Sequence, residues 1–306
     1  MNVIKIANNL DEHLIRYTVS YACNFNCKDC YQETKRLQNK YRVSKELINN
    51  ISKKINDLIE SVPNDGKPIT LYPEGGEISL WNLTDDILKN ITTKRLTGIK
   101  IVSNFSADID WYKKLVNYCE TNNLQLRILL SYHHNQMPLD LFKSKILELN
   151  KIYSPKVLVV VDNENYKDHT DILEFLKNNN IRFNLNFKRY GKPASEEVHN
   201  FILSYMGNSD QSKTFTVYFD DESTLKCNGE TLRLKGFFKP AGYYCDNNKN
   251  YDILPDGTVK HFGCPMAKEA FNLLTDSIHF DNSIILCNRT EDRPCNISCQ
   301  NHNIWK

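Results

Sequence analysis

Strand-like and helix-like segments alternate along the first two thirds of this 306-residue chain. The strand-like runs are rich in apolar and β-branched residues, and they occupy residues 14–21, 69–72, 99–103, 125–132, 157–161 and 181–187. Each run is separated from the next by a segment that can form a helical crossover, which parallel strands require. The alternation therefore predicts an α/β fold of six β/α units wound into an open, partial TIM-type barrel. Ligands of such a barrel bind at the carboxyl ends of its strands.

The helical segments show apolar residues at spacings of three and four. Residues 44–60 show this pattern most clearly, with Ser44 in position to cap the amino-terminal end of the helix. Pro138 suits the first turn of another helix, because its fixed φ is helical and its missing N–H is not needed there. Further helices are predicted at residues 85–92, 111–120, 171–178 and 198–206.

The alternation of strand-like and helix-like segments ends near residue 208. Beyond it, short β-rich runs alternate with turns such as Pro255-Asp256-Gly257, and six of the ten cysteines of the chain lie there. We therefore expect a partial barrel at residues 1–208 and a small cysteine-rich domain of β-hairpin and helix at residues 209–306. The density of cysteines predicts that this second domain binds metal.

Composition excludes several broad classes of function. The net charge is +2, and this near balance of acidic and basic residues argues against nucleic acid or a membrane surface as a partner. The sequence contains no apolar run near the roughly 20 residues that span a bilayer, and its amino terminus does not resemble a secretory signal. Ten cysteines without an export signal predict a reducing, cytoplasmic location.

Three cysteines, Cys23, Cys27 and Cys30, follow the first predicted barrel strand, with three and then two residues between them. A cubane iron–sulfur cluster has four irons, so three thiolates hold it and leave one iron open for chemistry. Half of a zinc site is an alternative, although such sites usually pair two Cys-x-x-Cys arms. A redox pair of Cys27 and Cys30 is another, and it would leave Cys23 without a role.

This cysteine motif resembles the cluster-binding signature of the radical S-adenosylmethionine (SAM) enzymes, whose fold is a partial barrel. The resemblance implies a 4Fe-4S cluster whose open iron is chelated by SAM, and cleavage of SAM to a 5′-deoxyadenosyl radical that abstracts a substrate hydrogen. It also implies an external reductant such as a flavodoxin or ferredoxin. One position departs from the family, because Asp29 precedes the third cysteine where an aromatic residue is usual, with Phe25 and Tyr31 as the nearest rings.

Residues 73–77 read Pro-Glu-Gly-Gly-Glu directly after the second predicted strand. Taken alone, two adjacent glycines indicate a tight turn, or a place where positive φ and close backbone approach are needed. Their position one β/α unit after the cysteines matches the Gly-Gly-Glu motif of the radical SAM family. The match implies that Gly75, Gly76 and Glu77 bind the methionine end of SAM. Weaker matches at the ends of the next two strands imply three further SAM contacts, at Ser103, Asn104 and Ser131.

The carboxyl-terminal cysteines surround a predicted hairpin that turns on Asp256-Gly257. This arrangement resembles the auxiliary-cluster region of radical SAM enzymes with SPASM or twitch domains. Six cysteines are too few for two auxiliary clusters, so the resemblance implies one further 4Fe-4S cluster, held by Cys245, Cys264, Cys295 and Cys299. Cys287 competes for the fourth position, and a zinc ribbon with four cysteine ligands remains an alternative. Cys227 is left over, and a buried structural role is favoured over that of a hydrogen-atom donor.

The predicted function is that of a radical SAM enzyme that modifies a side chain of a ribosomally made peptide or protein by crosslinking, epimerisation or oxidation. We expect the chain to begin almost directly at its first barrel strand, without a domain for binding a peptide leader, which keeps a small-molecule substrate open. The first alternative is therefore dehydrogenation of a sugar or aminosugar alcohol. The second, from a different class, is a non-enzymatic zinc-binding module. Iron content distinguishes such a module from an enzyme with two cubane clusters.

Overall fold

The computed structural model describes residues 2–8, 12–27, 30, 43–188, 194–206, 215–227, 231–232, 235–237, 241–246, 250–261, 269–278, 284–287 and 304–306. Its strands are β1 (Val3–Asn8), β2 (His13–Ser20), β3 (Ile69–Gly75), β4 (Leu96–Ser103), β5 (Gln125–Tyr132), β6 (Lys156–Val161), β7 (Phe183–Phe187), β8 (Phe215–Phe219), β9 (Thr224–Cys227), β10 (Tyr244–Cys245), β11 (Asn250–Ile253), β12 (Thr258–His261), β13 (Glu269–Asn272), β14 (Ile285–Leu286) and β15 (Ile304–Trp305). Its α-helices are α1 (Lys45–Ser61), α2 (Ile109–Thr121), α3 (Leu139–Asn150), α4 (Thr170–Asn178) and α5 (Glu196–Met206). Within these ranges, every helix is too short or too polar to cross a membrane.

The strands β2 to β7 lie side by side in chain order, and each is parallel to the next. The predicted mixed α/β fold with a parallel sheet is therefore confirmed. The connection from β3 to β4 differs from the helix predicted at residues 85–92. A π-helical turn (Leu83–Ile87) and a 3-10 turn (Leu88–Asn90) replace it, because the amide of Leu88 reaches back to the carbonyl of Leu83 and interrupts the α-helical ladder.

Helix α1 illustrates how the sequence builds the layer that covers one face of this sheet. The hydroxyl of Ser44 accepts a hydrogen bond from the amide of Leu47 at 3.1 Å, which confirms the predicted cap. The apolar side of α1 packs in the same buried core as Ile15 and Tyr17 of β2. Because side chains alternate along a strand, Arg16 points to the opposite face of the sheet, inside the barrel.

The carboxyl-terminal hairpin extends the same sheet. Strand β11 pairs in parallel with β2, and β12 and β13 follow antiparallel, so the sheet has nine strands in the order β13-β12-β11-β2-β3-β4-β5-β6-β7. The predicted turn on Asp256-Gly257 is present between β11 and β12, with Gly257 at φ +86° and Leu254 donating to the carbonyl of Thr258 at 2.8 Å. Strands from both sides of residue 208 thus share one sheet, and the domain boundary there stays a prediction.

A second sheet contains the first strand of the chain, in the order β14-β10-β15-β1-β8-β9. Strand β1 pairs antiparallel with β8 and with β15. The first strand of the parallel sheet lies near its predicted position, but the sequence did not predict β1, which precedes it. The pairing of β1 joins residues more than 200 positions apart, such as Ala7 and Thr216, and a short apolar run carries no signal of so distant a partner.

Candidate functional site

The cysteine loop begins at the carboxyl end of β2 and lies over the ends of β4 and β5. The side-chain amide of Asn104, which follows β4, donates to the sulfur of Cys23 at 3.9 Å. The sulfur of Cys27 lies 3.4 Å from Nδ1 of His133, which follows β5. Cys23, Cys27 and Cys30 are half-buried. The structure thus places Cys23 and Cys27 at the edge of the sheet where a barrel of parallel strands binds ligands.

The donor set of this loop fits a thiolate-bound metal centre. Three cysteines lie within eight residues, and residues 28 and 29 between them are outside the described ranges. Among the described residues, no three Cys, His, Asp or Glu side chains already converge on a common point. Soft thiolate ligands select iron–sulfur clusters, zinc or copper(I) over magnesium or calcium. The three-thiolate cluster therefore stays a prediction that the position and chemistry of the loop support.

Gly75 and Gly76 bring the end of β3 against the start of the cysteine loop. The amide of Gly76 donates to the carbonyl of Ser20 at 3.0 Å, and the amide of Glu77 donates to the carbonyl of Ala22 at 2.8 Å. A Cβ at Gly75 would lie 2.4 Å from the Ser20 oxygen, and one at Gly76 would lie 2.3 Å from the Ala22 oxygen. Neither glycine adopts the positive φ that glycine allows. Close packing against the chain itself is what requires glycine here.

The carboxylate of Glu77 joins two of the other predicted site residues. It accepts hydrogen bonds from the hydroxyl of Ser103 at 2.8 Å, from the amide of Asn104 at 2.6 Å and from the amide of Ser79 at 2.9 Å. The side chain is buried, and Ser103 also bonds to the hydroxyl of Tyr112 at 2.7 Å. Glu77, Ser103 and Asn104 are therefore brought together as one hydrogen-bonded group under the cysteine loop.

The loop after β4 is held in an unusual conformation. Phe105 is fully buried and has φ +62°, a region that non-glycine residues rarely adopt and that is costly unless the surroundings impose it. The ammonium of Lys145 on α3 donates to the carbonyls of Phe105 at 2.6 Å and Ala107 at 2.7 Å. The preceding residue, Asn104, donates its side-chain amide to Oδ1 of Asn24 at 2.9 Å. Lys145 therefore helps to aim Asn104 at the cysteine loop.

Sequence reasoning missed Lys145, Tyr112 and Asn24. Lys145 and Tyr112 occupy ordinary positions in α3 and α2, where the periodicity of the helix indicates only which face is buried. Their contacts join different β/α units. A nonlocal contact of this kind leaves no pattern in a single sequence.

Ser131 and His133 lie at the end of β5. Ser131 is half-buried and is the register partner of Leu158 on β6, one strand away from the group around Glu77. The edge of the Phe25 ring packs on the ring of His133, with centroids 5.7 Å apart. Burial lowers the pKa of His133 to about 4, and the neighbouring His134 contributes to that lowering. The imidazole beside Cys27 is therefore neutral near pH 7.

Only part of the predicted auxiliary site falls on described residues. Cys264, Cys295 and Cys299 lie outside the described residues. Cys245 is buried at the end of β10, and Cys287 is half-buried after β14, where its amide donates to the carbonyl of Tyr243 at 2.8 Å. These two cysteines thus lie on neighbouring strands of one small sheet. The choice between Cys287 and the other predicted ligands stays open.

Cys227, the cysteine left over from both predicted clusters, is buried in the core of the small sheet with Ile6 and Phe215. Burial raises the pKa of its thiol to about 11, against a small opposing effect of Lys235. A protonated, buried thiol in an apolar core agrees with the structural role favoured for it.

The fold is similar to that of anSMEcpe, a radical SAM enzyme with an auxiliary domain. Three solved structures of anSMEcpe show this likeness. The polyhistidine-tagged protein with bound AdoMet matches 87% of this chain and 78% of its own, at 14% identity and a TM-score of 0.54. The native protein with AdoMet and the Cp18Cys peptide gives the same identity and coverage with a TM-score of 0.52. With the Kp18Cys peptide the values are 14% identity, 86% and 78% coverage and a TM-score of 0.52.

Comparison of the sequence with protein-family models and with curated proteins gives no match. The likeness to anSMEcpe is therefore one of fold, and the chemistry of this chain is argued from its own residues.

Proposed function

We propose that this protein is a radical SAM enzyme whose catalytic 4Fe-4S cluster is held by Cys23, Cys27 and Cys30. The observation that supports this proposal is the position of Cys23 and Cys27, at the carboxyl ends of parallel strands in a fold similar to that of AdoMet-bound anSMEcpe. With three thiolates on four irons, one iron is left for SAM. With SAM bound at that iron, the reduced cluster would supply the electron that cleaves SAM to a radical able to abstract a hydrogen atom from the substrate.

The residues around Glu77 would shape the SAM site. Gly75 and Gly76 hold the end of β3 against the cysteine loop, where any side chain would collide with backbone. In our proposal the methionine end of SAM lies along this segment, and Asn104 and Ser131 face it from the ends of β4 and β5. Ser103 is buried and bonded to Glu77 and Tyr112, so we assign it the task of orienting Glu77. Orientation by rigid neighbours is what confers precise placement on a binding site.

A second 4Fe-4S cluster is proposed at the carboxyl-terminal cysteines, with Cys245, Cys264, Cys295 and Cys299 as ligands and Cys287 as the competing ligand. Cys245 is buried beneath the small sheet, which suits a structural or electron-conducting centre better than one that binds substrate. The electron for SAM cleavage would come from a flavodoxin or ferredoxin. A cytoplasmic location would supply such a partner.

For the substrate we propose a side chain of a ribosomally made peptide or protein, modified by crosslinking, epimerisation or oxidation. The support is the likeness of fold to anSMEcpe, which was solved with the Cp18Cys and Kp18Cys peptides bound. Dehydrogenation of a sugar or aminosugar alcohol is the alternative. Co-expression with a small peptide encoded beside the gene separates the two. Loss of two hydrogens from the peptide, or deuterium uptake at an α-carbon, supports peptide chemistry, and an unchanged peptide favours a small metabolite.

The proposed chemistry is tested by dithionite-driven cleavage of SAM by the anaerobically reconstituted protein. We expect brown protein with about eight irons if both clusters are cubanes, and release of 5′-deoxyadenosine. Cys27→Ala should abolish cleavage. The matched control is Cys119→Ala, which removes a buried cysteine of α2 and should leave cleavage in place. Colourless protein that binds zinc at both sites would instead support a zinc-binding module.

A further inference from the structure

Three charged side chains from three strands meet inside the barrel. Arg16 of β2 donates from Nε to Oδ1 of Asp252 on β11 at 2.9 Å, and its Nη2 makes a second, parallel bond to Oδ2. Its Nη1 lies 3.3 Å from Oε1 of Glu74 on β3. The side chains of Asp252 and Glu74 are 3% and 9% exposed, so both carboxylates are removed from water. We call these three residues the Arg16 triad.

The triad joins the carboxyl-terminal hairpin to the barrel at one register. Asp252 is the direct register partner of Arg16 in the short parallel ladder between β11 and β2. Its neighbours Tyr251 and Ile253 point to the other face and are fully buried in the apolar core. A slip of one residue would bring one of them opposite Arg16 and would turn Asp252 into the apolar core. The ion pair is therefore incompatible with a slip of one residue in either direction.

Removing any member of the triad takes away one partner of a buried charge. Burial raises the pKa of Glu74, and Arg16 opposes that rise. Burial disfavours the charged guanidinium of Arg16, but Glu74 and Asp252 more than compensate, so its pKa is raised overall. Buried ion pairs contribute little net stability compared with apolar residues of similar size, and their best attested role is to specify one arrangement among several.

Both strands that the triad joins lead to predicted metal ligands. Cys23 follows the last residue of β2, Ser20, after two intervening residues. Strand β11 begins five residues after Cys245, and β12 ends three residues before Cys264. The register of β11 on β2 therefore fixes the point on the sheet from which the chain runs back to Cys245, and through β12 on to Cys264.

We propose that the Arg16 triad is a register lock that positions the carboxyl-terminal hairpin on the barrel, and with it one group of cysteines relative to the other. In this proposal Arg16, Glu74 and Asp252 act as positioning residues. That the two groups of cysteines bind clusters rests on the proposed function. The docking of the hairpin on the sheet does not rest on it, because the hairpin is held by contacts within the chain itself.

Hydrogen exchange of the metal-free protein, read by mass spectrometry, tests the lock without any activity. Asp252→Asn keeps the shape of the side chain and removes its charge. We expect the amides of β11 and β12 to exchange about tenfold faster, with β4 to β6 unchanged. Arg16→Lys keeps the charge but loses the paired hydrogen bonds, and it should give a smaller acceleration at the same strands.

The matched control is Glu12→Gln. Glu12 is another buried carboxylate, and it pairs with Arg127 of β5 at 2.6 Å. The proposal is overturned if Asp252→Asn leaves hairpin exchange unchanged, if it accelerates exchange throughout the chain, or if Glu12→Gln accelerates the hairpin equally. In reconstituted protein, Asp252→Asn should still cleave SAM but should lose formation of modified product. If the wild-type protein cleaves no SAM, the proposed function has failed while the exchange result still decides on the lock.

Discussion

Glu77 and Asn104 are joined by a hydrogen bond of 2.6 Å, which the backbone amide of Asn104 donates to Oε2 of Glu77. This bond ties the segment after β3 to the segment after β4. Asn104 then reaches the cysteine loop through Asn24, and Glu77 reaches it through the carbonyl of Ala22. Glu77 thus links the carboxyl ends of three consecutive strands, β4 through its carboxylate and β2 through its backbone amide.

Replacement of Glu77 by Gln should weaken this link. A carboxylate accepts from Ser79, Ser103 and Asn104 with its two oxygens, whereas an amide has one acceptor oxygen and places an N–H against a donor. We expect the free energy of unfolding to fall by about 1–3 kcal/mol and the affinity for SAM to fall with it. Urea denaturation and equilibrium dialysis with SAM measure the two effects. The control Glu148→Gln alters an exposed pair with Lys113 and should change neither.

Gly76→Ala should separate β3 from the cysteine loop, because the added Cβ would lie 2.3 Å from the carbonyl oxygen of Ala22. We expect reconstituted Gly76→Ala to bind less iron than the wild type, approaching the content of Cys27→Ala. Gly66→Asn is the matched control, since no atom lies within 4 Å of a Cβ there and Asn tolerates φ +78°. Normal iron content in Gly76→Ala would show that this contact does not support the metal site.

Arg95 closes the carboxyl-terminal end of α1. Its Nη1 donates to the carbonyls of Ile59 at 3.0 Å and Glu60 at 2.6 Å, in the last turn, where a helix leaves carbonyls without intrahelical partners. Arg95→Ala should therefore reduce the free energy of unfolding by about 1–3 kcal/mol, as measured by urea denaturation. Lys94→Ala, an exposed change one residue earlier, should have an effect below about 0.5 kcal/mol. Equal effects of the two changes would contradict the capping role.

Cys227 should resist alkylation in the folded protein. Burial raises the pKa of its thiol to about 11, so the reactive thiolate is scarce at pH 8 and increases as the pH approaches that value. In metal-free protein treated with iodoacetamide at pH 8, we expect Cys23, Cys27 and Cys30, which are half-buried, to be modified first. Peptide mass spectrometry locates the modified residues. Modification of Cys227 as fast as these three would argue that it is open to a substrate.

The elements of the barrel could be predicted from the sequence because their signals are local. Strand β5 has the predicted bounds of residues 125–132, and α1 begins after the predicted cap at Ser44. The place of β1 in the small sheet and of β11 beside β2 could not be predicted. Both are pairings between distant segments, and periodicity says which residues form a strand but not which strand lies next to it.

The candidate site likewise combines features that could be predicted from the sequence with features that could not. The cysteine spacing and the Gly-Gly-Glu motif are contiguous, so the sequence displays them and the structure brings Glu77, Ser103 and Asn104 together. The reason for the glycines was predicted only in part. Close approach is present, but the neighbour is the backbone of Ser20 and Ala22. The Arg16 triad had no sequence signal, because its members are separated by up to 236 positions.

The central claim is that the cluster on Cys23, Cys27 and Cys30 has one iron without a protein ligand. Electron paramagnetic resonance of the dithionite-reduced Cys245→Ala variant, which removes a predicted ligand of the other cluster, tests this most directly. We expect the g values of the remaining 4Fe-4S signal to shift when SAM is added, because SAM binds the open iron. A signal that SAM leaves unchanged, or that shows a fourth ligand from the protein, would contradict the account.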